Sequence, residues 1–131
     1  MGRGLEAYGA LVLRIFLGVI YMAHAYLALF VMGPAKAIDY QRALHIPLPE
    51  IGAWYLILAH GLGGLMLILG IMVRWAALAN IPIIAGALWF VHLPQGFFIF
   101  GGKNGYEYVL FLLGATIAQA LLGAGAFTFR K

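Results

Sequence analysis

The sequence predicts an all-α integral membrane protein: a four-helix bundle in up-down-up-down order, with a short interfacial helix between spans 1 and 2. The first observation is composition, since 65% of the 131 residues are hydrophobic and 9% are charged, with a mean hydropathy of +1.00. Soluble domains are about half apolar and about a quarter charged. The second is four long apolar stretches. The third is the absence of cysteine, which excludes disulfide scaffolds, thiolate metal sites and cysteine nucleophiles.

The four apolar stretches predict helices, because they are too long and too continuously apolar for barrel strands. They cover about residues 10–31, 51–73, 75–93 and 106–127 of a single transmembrane domain that takes in the whole chain. Spans 2 and 3 meet at Arg74 almost without a loop. We therefore expect these two spans to form an antiparallel hairpin.

The connection between spans 1 and 2 contains a predicted amphipathic helix at about residues 35–44. Charged side chains at Lys36, Asp39 and Arg42 are interleaved there with apolar ones. Such a pattern is typical of a helix that lies in the membrane interface. Pro47 follows and ends it, because proline cannot donate the next helical hydrogen bond.

The distribution of Lys and Arg predicts that both termini are cytoplasmic. Positive residues favour the cytoplasmic side, and with four spans the termini share a side with the turn between spans 2 and 3. That side carries five positive residues and the other carries three: Arg3, Arg14, Arg74, Arg130 and Lys131 against Lys36, Arg42 and Lys103.

Each predicted span contributes one titratable residue to the outer half of the bundle. These are His24, His60, His92 and Glu107, and the up-down order alone places them toward one end. Ionisable residues inside a membrane usually face the bundle interior or a wet cavity. The four residues therefore indicate a site for proton relay or ligand binding. The alternative is that they only hydrogen-bond to neighbouring helices or reach the headgroup zone.

Aromatic residues cluster near the same end. Trp54, Trp89, Phe97 and Tyr106 are the candidate walls of a slot for a flat apolar ring such as a quinone. Quinone binding needs an apolar slot and proton donors or acceptors at the ring oxygens. The alternative for each ring is an ordinary interfacial aromatic belt.

Metal and haem are minor alternatives. No His-x-x-x-His pair, no Glu-x-x-His pair and no cysteine occurs in the sequence, so the spacing typical of metal sites is missing and no metal site is predicted. His24 and His60 lie at similar depths and would be the pair to hold a haem between helices.

Other polar and small residues predict structural roles. Arg14 lies early in span 1, where it can snorkel to the headgroups. Gly63 and Gly64 predict close helix contact beside the His60 face, and Gly114 predicts the same on span 4. The Asn80-Ile81-Pro82 run predicts a kink rather than a site.

Several motifs resemble those of the DoxX family of small four-helix membrane proteins, and the resemblance covers nearly the whole chain. The most specific part runs from His92 to Glu107. The motifs are Arg14-x3-Gly18 followed by His24, Gly63-Gly64-Leu65 with Leu69-Gly70 before Arg74, His92-x3-Gly96-Phe97-Phe98, Gly105-Tyr106-Glu107-Tyr108, and the closing Gly123-Ala124-Gly125.

The resemblance implies redox work in a bacterial or archaeal cytoplasmic membrane, with quinone as the possible cofactor and lipid and other subunits, or further copies of the chain, as partners. No nucleic-acid partner is expected. His60 stands where the family often has a glutamate, which argues against thiosulfate as the substrate. The chain would then be a quinone-interacting subunit of a quinone-linked oxidoreductase. The alternatives are a non-catalytic accessory subunit and, third, a transporter of small solutes or protons.

Overall fold

The computed structural model describes residues 4–129 and is mainly helical. Two of the helices continue into wider π-helical turns. Among the described residues, the elements are α1 (Leu5–Tyr26) with the π turn Leu27–Met32, α2 (Pro34–Ala43), α3 (Pro49–Leu69), α4 (Val73–Ala87) with the π turn Leu88–His92, the 3-10 turn Leu93–Gln95, β1 (Ile99–Phe100), β2 (Lys103–Asn104) and α5 (Glu107–Leu122).

Three helical stretches are long and apolar enough to cross a membrane: Leu5–Met32, Pro49–Leu69 and Val73–Gln95. The fourth apolar helix, α5, has 16 residues, which corresponds to about 24 Å of helix against a hydrocarbon core of about 30 Å. The prediction of membrane spans is thus confirmed for three helices. The complete four-span bundle, its up-down order and its cytoplasmic termini stay predictions, and Arg3, Arg130 and Lys131 lie outside the described residues.

The helix boundaries differ from the predicted ones mainly at the two ends of the chain. α1 begins at Leu5 rather than near residue 10. α5 ends at Leu122, so the prediction of helix up to residue 127 is wrong. Gly123 and Gly125 have φ angles of +80° and +72°, which glycine adopts without strain and which end a helix.

Glycines bring α1 and α3 into close contact, and α1 packs mainly along α3 while α4 packs along α5. A Cβ placed at Gly18 would lie 2.6 Å from the carbonyl oxygen of Gly64, and a Cβ at Gly64 would lie 2.8 Å from Met22 Cγ. The predicted packing role of Gly64 is therefore confirmed. Gly114, predicted to pack in the same way, has no neighbouring atom within 4 Å of such a Cβ in the described part of the chain.

We expect Gly18→Ala to lower the thermal unfolding midpoint, because its Cβ would clash with the carbonyl oxygen of Gly64, which is backbone, as well as with Ile68 Cγ1. The expected cost is about 1–3 kcal/mol, as for overpacking elsewhere. Gly114→Ala is the matched control, since its Cβ enters open space and alanine favours helix by about 1 kcal/mol. The midpoints of both variants are measured by thermal unfolding in detergent, with the folded fraction at each temperature determined by size-exclusion chromatography. A Gly18→Ala midpoint at or above that of the control would contradict the close packing.

The predicted interfacial segment is a helix, α2, and it packs on α3 and on the π turn of α1. Its exposed Arg42 bonds Asp39 at 2.8 Å and Glu50, in the first turn of α3, at 2.6 Å. Its inward side joins a small apolar cluster. The buried members of that cluster are Ala28, Ala37, Ala53 and Ile57.

The connection between α4 and α5 contains a two-stranded β-hairpin. Ile99 pairs with Asn104 and Phe100 with Lys103 in antiparallel register. The two turn residues are glycines with positive φ, as two-residue hairpins favour. The hairpin is tied to the helices by hydrogen bonds, since Gln95 Oε1 accepts from Asn104 N at 2.8 Å.

Arg14 is fully buried, at 0% exposure, so the prediction that it snorkels to the headgroups is wrong. Its five N–H groups make five hydrogen bonds, all to backbone carbonyls. Two of the acceptors lie in the last turn of α3, and the other three lie in the segment after α5. The acceptors are Leu67 at 2.9 Å, Ile68 at 2.6 Å, Ala124 at 2.9 Å, Ala126 at 2.8 Å and Phe127 at 2.5 Å.

Candidate functional site

A cavity of about 750 Å³ lies between the end of α1, α2, the first half of α3, the second half of α4 and the first half of α5. Most of its wall is apolar. Three histidines line it, His24 from α1, His60 from α3 and His92 from the end of α4. Three of the four predicted titratable residues are thus brought to one cavity.

Both π turns contribute to the cavity wall. Such turns are rare and occur often at functional sites. A π turn is wider than an α turn, and here one follows α1 and the other follows α4. The contributing residues are Leu27, Ala28 and Met32 from the first turn, and Phe90, Val91 and His92 from the second.

His60 is the most constrained of the three histidines. It is 4% exposed, and its ring stacks on Tyr21, with centroids 4.7 Å apart and planes 9° from parallel. Its Nδ1 lies 2.5 Å from Asn80 Oδ1. Stacking and the hydrogen bond together fix both the plane and the rotation of the ring.

Asn80 is held in turn by the backbone. Its Nδ2 donates to the carbonyls of Ala59 at 3.0 Å and Ala76 at 2.8 Å. Gly63 provides the space, because a Cβ there would lie 2.8 Å from Asn80 Nδ2. The sequence analysis treated Asn80 only as part of a kink. The signal for its role was present, since a polar side chain inside a membrane has to find a partner there.

Tyr21 connects the site to α5. Its hydroxyl bonds Thr116 Oγ1, and Thr116 Oγ1 donates to the carbonyl of Leu112 at 2.7 Å. Because the single hydroxyl proton of threonine goes to that carbonyl, Tyr21 is the donor in the first bond. All three residues are buried, so this chain of bonds anchors the tyrosine on which His60 stacks.

The other two histidines lie at different places in the cavity wall. The His24 ring centroid lies 6.3 Å from that of His60, with the planes tilted by 51°. His92 Nδ1 lies 2.9 Å from the backbone oxygen of Asn104, which links the hairpin to the cavity wall. Asn104 itself lines the cavity.

Gln41 adds an amide to the cavity wall. It is 9% exposed, and its buried Oε1 has no hydrogen-bond partner in the described part of the chain. A Cβ at Gly52 would overlap this oxygen, so the glycine is what allows the amide to sit there. A buried amide oxygen without a partner costs about 1–3 kcal/mol. Sequence reasoning missed Gln41 because α2 was seen as an interfacial helix.

The remaining predicted site residues lie elsewhere. Glu107 is outside the cavity wall, and its Oε2 accepts from the backbone N–H of Ile99 at 2.8 Å. The Phe97 and Tyr106 rings contact each other edge to face at 5.3 Å between centroids. Trp54 and Trp89 are exposed, Trp89 at 67%. The structure therefore does not bring the four aromatic residues together around the histidines.

A second cavity, of about 680 Å³, lies at the turn between α3 and α4. Arg74 and Glu6 line it, with backbone from the segment after α5. It contains no histidine among its described wall residues. Nor do residues 4–129 include a group of three or more His, Asp and Glu placed to hold a metal ion.

Comparison of the sequence with protein-family models identifies the family of this chain. The DoxX model matches residues 9–93. The matched range holds all three cavity histidines together with Asn80 and Gln41, and it ends one residue after His92. Searches of curated proteins and of solved structures gave no match. Since the family model covers more than half of a chain with three apolar helices able to cross a membrane, the chain belongs to the DoxX family of membrane proteins.

Proposed function

We propose that this protein is a quinone-binding subunit of a membrane redox complex, and that the histidine-lined cavity holds the ring. The observation that carries the proposal is the convergence of His24, His60 and His92 on one largely apolar cavity. Ionisable side chains at membrane depth are costly and mark functional sites by default. Packing alone would have been served better by apolar residues.

The size and lining of the cavity suit such a ligand. Binding sites for small molecules typically have about 300–1,000 Å³ and apolar walls with a few polar groups, and this one has about 750 Å³. The imidazoles and the Gln41 amide supply those polar groups. The apolar remainder suits a ring that carries a hydrophobic tail.

The proposal assigns different tasks to the residues. His60, held by Tyr21 and Asn80, would bind a ring oxygen. His24 and His92 would bind or exchange protons at the same ring. Glu107 would brace the hairpin through Ile99. Electrons would come from a partner protein.

Binding of decylubiquinone and menadione, each in oxidised and reduced form, tests the proposal. With the purified protein in lipid nanodiscs, we expect saturable binding at a stoichiometry of one. His60→Asn should weaken it by about tenfold or more, which corresponds to about 1.4 kcal/mol. Native mass spectrometry and equilibrium dialysis report both stoichiometry and affinity.

His45→Asn is the matched control, because His45 is exposed, lies outside the cavity wall and has a positive φ that asparagine tolerates. It should bind like the unmodified protein. If no quinone binds in either form and the cavity retains phospholipid alone, the proposal is wrong. Stable association with other polypeptides would then favour the accessory-subunit alternative.

A further inference from the structure

Two of the cavity histidines are fixed in the same tautomer. Asn80 Nδ2 faces the carbonyls of Ala59 and Ala76, and a carbonyl can only accept. The amide orientation is thereby determined, and its Oδ1 faces His60 Nδ1. Because Oδ1 is an acceptor, His60 Nδ1 carries the hydrogen.

The tautomer of His92 is also fixed by its hydrogen-bond partner, which here is a backbone carbonyl. Its Nδ1 lies 2.9 Å from the backbone oxygen of Asn104, which has no hydrogen to give. His92 Nδ1 therefore also donates. A neutral imidazole has one N–H, so Nε2 is the acceptor nitrogen on both rings.

Two neighbouring hydroxyls have no free hydrogen with which to bind a quinone carbonyl. The Tyr21 hydrogen is committed to Thr116, and Tyr55 donates to the carbonyl of Ala79 at 2.5 Å. Tyr40 and Tyr108 also line the cavity, and a hydroxyl with an uncommitted hydrogen can donate or accept. His24 and the Gln41 amide line the cavity as well, and each offers both a donor and an acceptor. These four residues serve either kind of ligand and do not select between them.

We infer that the cavity selects the reduced ring, an aromatic diol, over the oxidised quinone. The hydroxyls of the diol donate to the Nε2 atoms of His60 and His92, whereas the carbonyls of a quinone would meet these lone pairs with lone pairs of their own. This inference rests on the proposed function and adds the form of the ligand. Asn80 is then a positioning residue, which acts by fixing the tautomer of His60.

The tautomers can be measured without any ligand. In protein with ¹⁵N-labelled histidine in nanodiscs, at about pH 8 where the neutral ring dominates for an ordinary histidine, we expect protonated Nδ1 and unprotonated Nε2 resonances for both residues. His60→Asn and His92→Asn assign the signals. A protonated Nε2 on His60 in the neutral ring would overturn the inference, whatever ligand binds.

The selectivity is measured with decylubiquinol and decylubiquinone under anaerobic conditions. We expect the unmodified protein to bind the quinol about tenfold more tightly, since an unmade hydrogen bond to a buried acceptor costs about that factor. Asn80→Leu, which removes the acceptor at similar volume, should free the His60 tautomer. The preference should then fall to about twofold or less.

The outcomes separate this inference from the proposed function. Equal binding of both forms to the unmodified protein would overturn the selectivity and leave the proposed function standing. Binding of neither form would overturn both. If Asn80→Leu does not fold, the tautomer spectrum and the binding ratio of the unmodified protein still decide, because neither measurement needs a variant.

Discussion

Replacement of Arg14 by lysine should destabilise the protein by about 3 kcal/mol or more. Lysine has three donors on one nitrogen in place of the planar fork of five, so at least two of the five carbonyls would lose their hydrogen bond. Each buried carbonyl left without a partner costs about 1–3 kcal/mol. The acceptors belong both to the end of α3 and to the segment after α5, so the change should also release that segment.

Two measurements check this result. The thermal unfolding midpoint in detergent should fall, and hydrogen exchange at residues 123–129 should accelerate before global unfolding. Arg42→Lys is the matched control, because Arg42 makes its two ion pairs in an exposed position and such pairs contribute about 0–1 kcal/mol. Equal midpoints for the two variants would show that Arg14 does not hold the chain end.

The hydrogen-bond partners of Arg14 could not be predicted from the sequence. Its place near the start of span 1 suited an arginine that snorkels, because a long side chain close to a helix end usually reaches the headgroups. Its actual acceptors lie 53 to 113 residues away in the chain. No local pattern identifies them. The segment that supplies three of the five acceptors also reads as apolar helix in sequence, until its two glycines adopt positive φ angles.

The helices themselves were predictable, because continuous apolar runs of this length allow no other structure in lipid. The order of the spans also predicts that His24, His60, His92 and Glu107 lie toward one end of the bundle, and the three histidines line one cavity whereas Glu107 does not. Whether a residue on a given helix faces that cavity depends on the rotation of the helix, which packing decides. Trp54 and Trp89, for example, are exposed and do not line the cavity.

The roles of Asn80 and Gln41 depend on particular partners. Asn80 is functional in our interpretation because two carbonyls orient its amide, and sequence contains no sign of that orientation. Gln41 enters the cavity wall because Gly52 leaves room for it. Both cases need atomic contacts between helices that are separate in sequence. The sequence therefore predicts which helices contribute histidines to the cavity, and the structure adds the residues that contact or accompany them.

Gly86→Leu should weaken ligand binding strongly without destabilising the fold. Gly86 lines the cavity, and a Cβ added there has no atom within 4 Å in the described chain. We therefore expect a leucine side chain at this position to occupy the space that we assign to the ring. Because leucine favours helix over glycine by about 0.5–1 kcal/mol, the unfolding midpoint should hold or rise while affinity for decylubiquinol falls by about a hundredfold or more.

The same change at Gly114 provides the matched control. Gly114 is also a helical glycine with open space at its Cβ position, but it lies outside the cavity wall. Gly114→Leu should gain the same helix propensity and bind the ligand normally, so the two variants differ only in whether the new side chain enters the cavity. Normal binding by Gly86→Leu would place the ligand elsewhere on the protein. Loss of binding in both variants would contradict the assignment of the ligand to this cavity, because Gly114 lies outside its wall.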